Sequence, residues 1–137
     1  MPAEPFFLDV DLVLRIHKSV IEQYGGGAGL RDQRLLESAV AMPQASFEGT
    51  LLHADLFEMA AAYLFHLVGN HPFVDGNKRV GAASAIIFLA MNGIEIEADE
   101  DGLVELTLKA ARGEGEKGEI AEFFRNRALR SPTEPSE

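Results

Sequence analysis

The sequence predicts an all-α fold, a compact single-domain bundle of about six helices with a polar loop at the N-terminus of a buried central helix. Apolar residues recur at the three- and four-residue spacing of an amphipathic helix along most of the chain. Gly, Pro and capping Asp residues separate these segments, and only a brief piece, 94–97, alternates as a strand does. At 137 residues the chain is long enough for one domain with a real core and too short to expect two. We expect this domain to cover residues 1–130, with a disordered tail at 131–137 that has two prolines and little apolar content.

The N-terminal third of the chain predicts two helices. Asp9 or Asp11 can cap the first, which continues through about Gln23 until the Gly-rich run 25–29 ends it. A Gly-rich run can also cradle phosphate, but here no Gly-Lys-Ser/Thr follows and no strand pattern precedes, so a flexible helix stop is favoured. Asp32 can cap a second, shorter helix that ends at the following proline. The apolar face of the first helix is expected to comprise Leu12, Ile16, Val20 and Tyr24.

The rest of the chain predicts four more helices. Between residues 42 and 54 the periodicity disappears, which indicates a loop or a small hairpin. Asp55 followed by Glu58 resembles an N-terminal cap, and the helix that it begins extends to Asn70. The next helix, 79–92, is apolar on nearly every side, so it should be central and buried, with small residues that let a neighbouring helix approach closely. The last two helices are expected at about 102–111 and 119–129, separated by a solvated acidic loop.

Charge and composition exclude several classes of function. The formal net charge is -10, so the long-range field repels nucleic acid and anionic membranes, and any cationic site must be local. The chain has no Cys, which excludes disulfides, thiol catalysis and zinc-thiolate sites. No apolar run approaches the ~18 residues of a membrane span, and the first residues lack the basic-then-apolar order of a signal peptide. We therefore expect a soluble cytoplasmic protein with no direct nucleic-acid or membrane partner.

The polar loop 71–79 carries more chemistry than a link between two helices needs. It holds an imidazole, a carboxylate, an amide and two cations, although the proline and glycine within it would suffice for a turn. Its last three residues fall where the next helix begins, and there free backbone N–H groups and the helix dipole favour an anion. Phe73 is an apolar anchor that would pin the loop to the core. The loop therefore predicts a phosphate site with a base beside it.

Each polar residue of the loop has a role in this interpretation. His71 could take a proton from an incoming hydroxyl, and Asp75 could hold Mg²⁺ between phosphates, since this ion prefers hard oxygen ligands. Asn77 and the backbone amides would orient phosphate oxygens, while Lys78 and Arg79 would neutralise charge on the transferred group. Together these roles predict a transferase that acts from a nucleotide. The remaining histidines are expected to be packed or half-exposed: His17, His53 and His66.

The loop resembles the signature of the Fic/Doc family, His-Pro-Phe-x-Asp/Glu-Gly-Asn-Gly-Arg-x-x-Arg. It departs from the Fic form at two positions, with Lys78 in place of the second glycine and Ala82 in place of the last arginine. His-x-Phe-x-Asp-x-Asn-Lys-Arg is instead the form of the Doc, or death on curing, toxins. The resemblance extends over roughly residues 8–128 and includes Gly29-Leu30-Arg31-Asp32. The matching loop positions are His71, Pro72, Phe73, Asp75, Gly76, Asn77 and Arg79.

The resemblance implies a specific chemistry. Fic proteins usually transfer AMP from ATP to a protein hydroxyl, whereas Doc is similar in fold but moves the γ-phosphate of ATP to a threonine of the translation factor EF-Tu. Lys78 offers a physical reason, because a lysine fills the space that a glycine leaves for phosphate and adds a point charge. The resemblance also implies that Phe73, Gly76 and Asn77 belong to the ATP-binding loop. In relatives the segment corresponding to 42–54 is a flap that aligns the target peptide.

The resemblance also implies how such a protein is regulated, and two alternative functions use the same loop or the same fold. Doc-like toxins are commonly encoded with an antitoxin whose helix covers the active site, and this chain has no inhibitory Ser/Thr-x-x-x-Glu-Gly/Asn segment of its own, so a separate antitoxin chain is the expected partner. The first alternative to a Doc-type kinase is a Fic-type adenylyltransferase that uses the same loop. The second is a non-catalytic helical binding module that retains affinity for nucleotide or antitoxin.

Overall fold

A computed structural model describes residues 4–129 and confirms the six-helix bundle. The helices are α1 (Val10–Tyr24), α2 (Gln33–Ala41), α3 (Leu56–Asn70), α4 (Asn77–Met91), α5 (Glu100–Ala111) and α6 (Lys117–Arg127). A 3₁₀ turn, Met42–Gln44, follows α2. Two small antiparallel pairs join β1 (Ser46–Phe47) to β2 (Thr50–Leu51) and β3 (Glu95–Ile96) to β4 (Ala128–Leu129). The predicted tail at 131–137 lies outside the described residues.

Aspartate side chains cap four of the helices, as their sequence positions predicted for three. Asp9, Asp32 and Asp55 each accept a hydrogen bond from a backbone N–H in the first turn of α1, α2 and α3. Asp99 does the same for α5, so that helix begins two residues before its predicted start. The choice between Asp9 and Asp11 is settled because Asp11 instead pairs with an arginine one turn along α1. Each cap satisfies a donor that the helix cannot, which is typically worth about 1 kcal/mol.

Helix α3 lies at the centre of the core. Tyr63, in its middle, is fully buried, and its hydroxyl accepts a hydrogen bond from Leu8 N at 2.8 Å, so the polar end of this ring is satisfied inside the protein. Helix α4 packs tightly against α3 through Gly81, where a Cβ would approach Val68 Cγ2 to 2.7 Å and Leu64 O to 3.2 Å. This confirms the expected close approach at a small residue of α4.

Helix α4 buries only part of its surface against α3, although it was expected to be apolar and buried on nearly every side. Ala82, Ala83, Ile86 and Ile87 are only partly buried and face a groove between α1, α4 and α5. On α1, Val13 and His17 are buried with Ile16 and Val20, while Tyr24 is 55% exposed, so its assignment to the apolar face was wrong. The last turn of α1 therefore extends beyond the core toward α4.

The last helix was predicted two residues too late at each end. It begins at Lys117 and ends at Arg127, because Ala128 and Leu129 pair with β3 instead of continuing the helix. The backbone carbonyl of Arg127 accepts from Glu97 N at 2.8 Å, so the ladder begins where the helix stops. The brief alternating piece at 94–97 is thus extended, as predicted, and its partner was not visible in the sequence. Within residues 4–129 no helix combines the length and apolar character of a membrane span.

Candidate active site

The polar loop is closed from inside by two of its own residues. Phe73 is 1% exposed and anchors the loop in the core, as predicted. The carboxamide of Asn77, 5% exposed, accepts from Phe73 N at 3.0 Å and donates to Phe73 O at 2.9 Å. Both ends of the Asn77 amide therefore hold the loop closed, a structural role that the sequence did not predict for this side chain. The backbone N–H of Asn77 lies in the first turn of α4, which no side chain within residues 4–129 caps.

The segment after α1 holds the loop from outside. Leu30 forms a β-bridge with Phe73, and the carbonyl of Pro72 accepts from the backbone N–H groups of Arg31 and Asp32 at 2.7 and 3.0 Å. Val74 N donates in turn to the carbonyl of Gly29 at 3.0 Å. The loop therefore behaves as one strand of a short pair rather than as a free connection. Gly25 ends α1 with a positive φ, so the predicted helix stop is confirmed, but the Gly-rich run also contacts the loop.

His71 lies at the C-terminal end of α3 in the left-handed conformation, with φ 52° and ψ 54°. This conformation is uncommon for a residue with a Cβ and persists where the surroundings enforce it. The guanidinium of Arg31 supplies that constraint, since its Nε donates to His71 O at 2.6 Å and its Nη2 to Asn70 O at 3.0 Å. Arg31 thereby caps carbonyls at the end of α3, and His71 is exposed to solvent.

Asp75 presents its carboxylate at the surface of the loop. One oxygen accepts from Gly27 N at 3.2 Å and the other from Gly76 N at 2.9 Å. These two bonds, with a smaller effect from the charge of Lys78, hold the pKa of Asp75 below its usual range. A Cβ on Gly26 would approach Asp75 Oδ2 to 2.7 Å, so glycine at this position makes room for the carboxylate.

Helix α4 begins directly below this carboxylate. Gly76, at φ 83°, turns the chain into the helix, and no side chain within residues 4–129 caps its first turn. Lys78 and Arg79 are exposed in that turn and form no ion pair with the described residues. The Arg79 guanidinium lies 4.3 Å from the centroid of the Tyr24 ring, so it leans toward the end of α1. The first turn of α4 thus combines free N–H groups with two exposed cations that have no ion-pair partner among the described residues, and the sequence predicted an anion site at this point.

His17 supports the loop from beneath, although the sequence suggested only a packed or half-exposed residue. It lies on the buried face of α1 and is 6% exposed. Its ring stacks on Phe73 with centroids 3.9 Å apart and an interplanar angle of 6°, and its Nε2 is 2.9 Å from Asp75 O. A histidine at helical spacing among Val13, Ile16 and Val20 was the signal that could have identified it, because a buried imidazole needs a hydrogen-bond partner.

The structure thus divides the predicted site residues into two groups. His71, Asp75, Lys78 and Arg79 expose their side chains around the start of α4, whereas Phe73 and Asn77 are buried beneath them. Among residues 4–129 no three His, Cys, Asp or Glu side chains are close enough to form a metal site together. Asp75 could therefore be one ligand of Mg²⁺, with phosphate and water oxygens as the others, which is the arrangement that this ion commonly adopts.

Two cavities adjoin the loop. The larger, about 850 Å³, lies between α1, α4 and α5, and its floor is formed by Ile16, Val20, Ala83 and Ile87 with Arg15 and Arg79 among its polar lining. The smaller, about 240 Å³, lies between α4 and α5 and is lined by Lys78 and Arg79 and by apolar side chains of α5. Arg79 borders both cavities and so connects the anion site to the groove.

A pair of histidines lies apart from the loop. His53, which follows the β1–β2 hairpin, and His66 of α3 both direct Nε2 at the ammonium of Lys117, at 3.4 and 3.1 Å. Burial, followed by the charge of Lys117 and the neighbouring His53, lowers the pKa of His66 from 6.5 to about 4. Since both imidazoles accept from an ammonium, they are neutral and join the hairpin, α3 and the start of α6.

Comparison with known proteins agrees with the geometry of the loop. The Fic/DOC family profile matches residues 7–89. Toxin Doc of Mycolicibacterium smegmatis is 46% identical over 78 residues, which are 57% of this chain and 60% of that protein. Protein kinase doc of Escherichia phage P1 is 34% identical over 113 residues, which are 82% of this chain and 88% of that protein. The family profile and both relatives agree with the motif of the loop, and the chain therefore belongs to the Fic/DOC family, in its Doc branch.

Proposed function

We propose that this chain is the toxin of a toxin–antitoxin pair and a protein kinase that transfers the γ-phosphate of ATP to a Thr or Ser hydroxyl of a protein. By resemblance the target is EF-Tu, so the consequence would be inhibition of translation in the cytoplasm. The observation that carries the proposal is the placement of His71 and Asp75. Both expose their side chains on a loop held by two other segments of the chain, directly above the uncapped start of α4.

The proposed reaction uses these residues in turn. His71 accepts the proton of the target hydroxyl, whose oxygen forms a bond to the γ-phosphorus. The bond from that phosphorus to its bridging oxygen breaks, and ADP leaves with the electron pair. Lys78, Arg79 and the free N–H groups of α4 stabilise the charge that is spread over the γ-phosphate oxygens. Because the loop is held before substrate arrives, little reorganisation is needed at that step.

Asp75 fits the role of Mg²⁺ ligand. Each carboxylate oxygen makes one hydrogen bond to a backbone N–H, which leaves lone pairs directed to solvent. Aspartate is ionised at neutral pH, as a ligand of a hard cation must be, and the lowered pKa of Asp75 extends this ionisation to more acidic pH. When bound, Mg²⁺ would supply positive charge between the phosphates of ATP.

Lys78 favours phosphoryl transfer over adenylyl transfer. Its side chain is exposed at the helix start and close enough to Asp75 to lower that carboxylate's pKa. A lysine at this point occupies space that a glycine would leave to the nucleotide, so the nucleotide has to lie differently over the loop. The phage P1 relative is named a protein kinase, and its match covers 82% of the present chain.

The test is a transfer assay with purified protein, Mg²⁺ and ATP labelled at either the α or the γ phosphate, offered EF-Tu and then whole lysate. We expect label from the γ position alone, and its loss in His71→Ala. Label retained from the α position would instead establish an adenylyltransferase. If neither label is transferred and His71→Ala does not alter the cellular effect of the protein, the chain is a non-catalytic binding module.

The groove between α1, α4 and α5 is the proposed site for the antitoxin. A cleft of about 850 Å³ with an apolar floor, in contact with Arg79 at the edge of the phosphate site, suits an amphipathic helix of another chain. A helix there would lie against Arg79, a residue of the loop that lines the cleft. Ala83→Arg would place a charge in the groove floor, and we expect it to abolish inhibition by the antitoxin while transfer activity remains. Full inhibition of Ala83→Arg would exclude this groove.

A further inference from the structure

The contact between His17 and the loop determines which nitrogen of the imidazole carries a hydrogen. Its Nε2 lies 2.9 Å from the backbone carbonyl oxygen of Asp75, 58 positions away in the chain. A carbonyl oxygen can only accept, so Nε2 must carry a proton and donate it. The ring is also held flat against Phe73, which leaves it little freedom to turn away from that carbonyl.

This hydrogen bond sets the orientation of one peptide group at the site. No described peptide bond is cis, and in a planar trans peptide the C=O and the following N–H point in opposite directions. Because the carbonyl of Asp75 points inward to His17, the N–H of Gly76 points outward. There it donates to Asp75 Oδ1 at 2.9 Å and holds the carboxylate proposed to bind Mg²⁺.

We infer that His17 is a positioning residue for the transfer reaction, which acts through the Asp75–Gly76 peptide and touches no substrate. Without its donor the carbonyl of Asp75 is left unsatisfied beneath the loop, and a rotated peptide would turn that oxygen toward the phosphates. The carboxylate would lose the Gly76 N–H, and the anion site would gain a negative dipole. Both changes weaken binding of Mg²⁺ and nucleotide. This inference rests on the proposed function, since it explains how that site is held in shape.

Two variants separate the hydrogen bond from the stacking. His17→Phe keeps an aromatic ring on Phe73 but has no donor, whereas His17→Gln keeps an N–H donor of similar reach but has no ring. Val13→Ala, on the same buried face of α1, is the control for general loss of packing. We expect His17→Phe to need about tenfold more Mg²⁺ for half-maximal transfer, the order expected for a lost buried hydrogen bond. His17→Gln and Val13→Ala should stay within about threefold of the unmodified protein.

The peptide orientation can also be read without substrate, from the NMR shift and hydrogen exchange of the Gly76 amide. We expect faster exchange of this amide in His17→Phe, and protection retained in His17→Gln and Val13→Ala. An unchanged Gly76 amide in His17→Phe, or equal effects of the Phe and Gln variants, would overturn the inference. If the unmodified protein transfers no phosphate, the proposed function fails, and the Gly76 amide still decides whether His17 orients this peptide.

Discussion

Replacement of Asn77 by alanine tests whether the buried carboxamide is what closes the loop. The side chain makes two hydrogen bonds to the peptide groups of Phe73, at 3.0 and 2.9 Å, in a buried setting. Removing it leaves one N–H and one C=O without a partner, and each unsatisfied buried group costs about 1–3 kcal/mol. The better helix propensity of alanine offsets at most about 0.7 kcal/mol. We therefore expect Asn77→Ala to lower the free energy of unfolding by about 2–4 kcal/mol.

Urea unfolding at neutral pH measures this loss. With a slope of about 1–3 kcal/mol per M, the midpoint should fall by about 1–2 M while the slope stays constant. Transfer activity should fall as well, since the loop would no longer hold His71 and Asp75 in place. Lys78→Ala is the matched control at the next position, because its side chain is exposed: its stability should stay within about 0.5 kcal/mol while transfer is lost. If Asn77→Ala is as stable as Lys78→Ala, the carboxamide does not close the loop.

Three further predictions concern packing, pH and the metal ligand. Gly81→Ala should destabilise the protein by about 1–3 kcal/mol in urea unfolding, because the added Cβ would lie 2.7 Å from a valine of α3. Gly69→Ala is the control and should be neutral or stabilising, since its added Cβ would have nothing within 4 Å. Equal effects of the two variants would contradict the close approach of α3 and α4. The folded-state pKa of His66, about 4, is below the unfolded value of 6.5, so below pH 6.5 the unfolded chain binds the proton first and the free energy of unfolding falls as pH drops toward 4. Discounted for the partial exposure of this side chain, the loss from pH 7 to 5 is about 1 kcal/mol, and His66→Gln should flatten it; an unchanged slope would refute this assignment. Gly26→Ala should raise the Mg²⁺ concentration needed for half-maximal transfer several-fold, because the new Cβ would be strained at φ 115° and would press on the carboxylate of the loop. Gly27→Ala, whose Cβ would make only ordinary contacts, should leave this concentration unchanged. Equal Mg²⁺ requirements would show that Gly26 does not make room for the carboxylate.

Local patterns predicted the helices and the loop because their causes are local. Capping by Asp9, Asp32 and Asp55 depends on a side chain three residues from its partner, and the apolar faces depend on helical spacing. The same holds for the buried Phe73 and for the exposed cations at the start of α4. Where a distant partner competes, local reasoning failed: α6 stops at Arg127 because the next two residues pair with a strand some thirty positions earlier.

The sequence by itself therefore determined the family and the helices, and it predicted the side chains of the candidate site through a motif in which nearly every residue is consecutive. Only the tertiary structure decided what holds those side chains in place. Arg31 lies 40 positions from His71, Gly27 lies 48 positions from Asp75, and His17 lies 58 positions from it. These hydrogen bonds cannot be recognised from periodicity in the sequence, because each joins a single donor to a distant carbonyl or carboxylate. They form only once α1 and the Gly-rich segment pack against the loop. The side chains of the candidate site are close together in the sequence, whereas the segments that hold them in place are brought together only by folding.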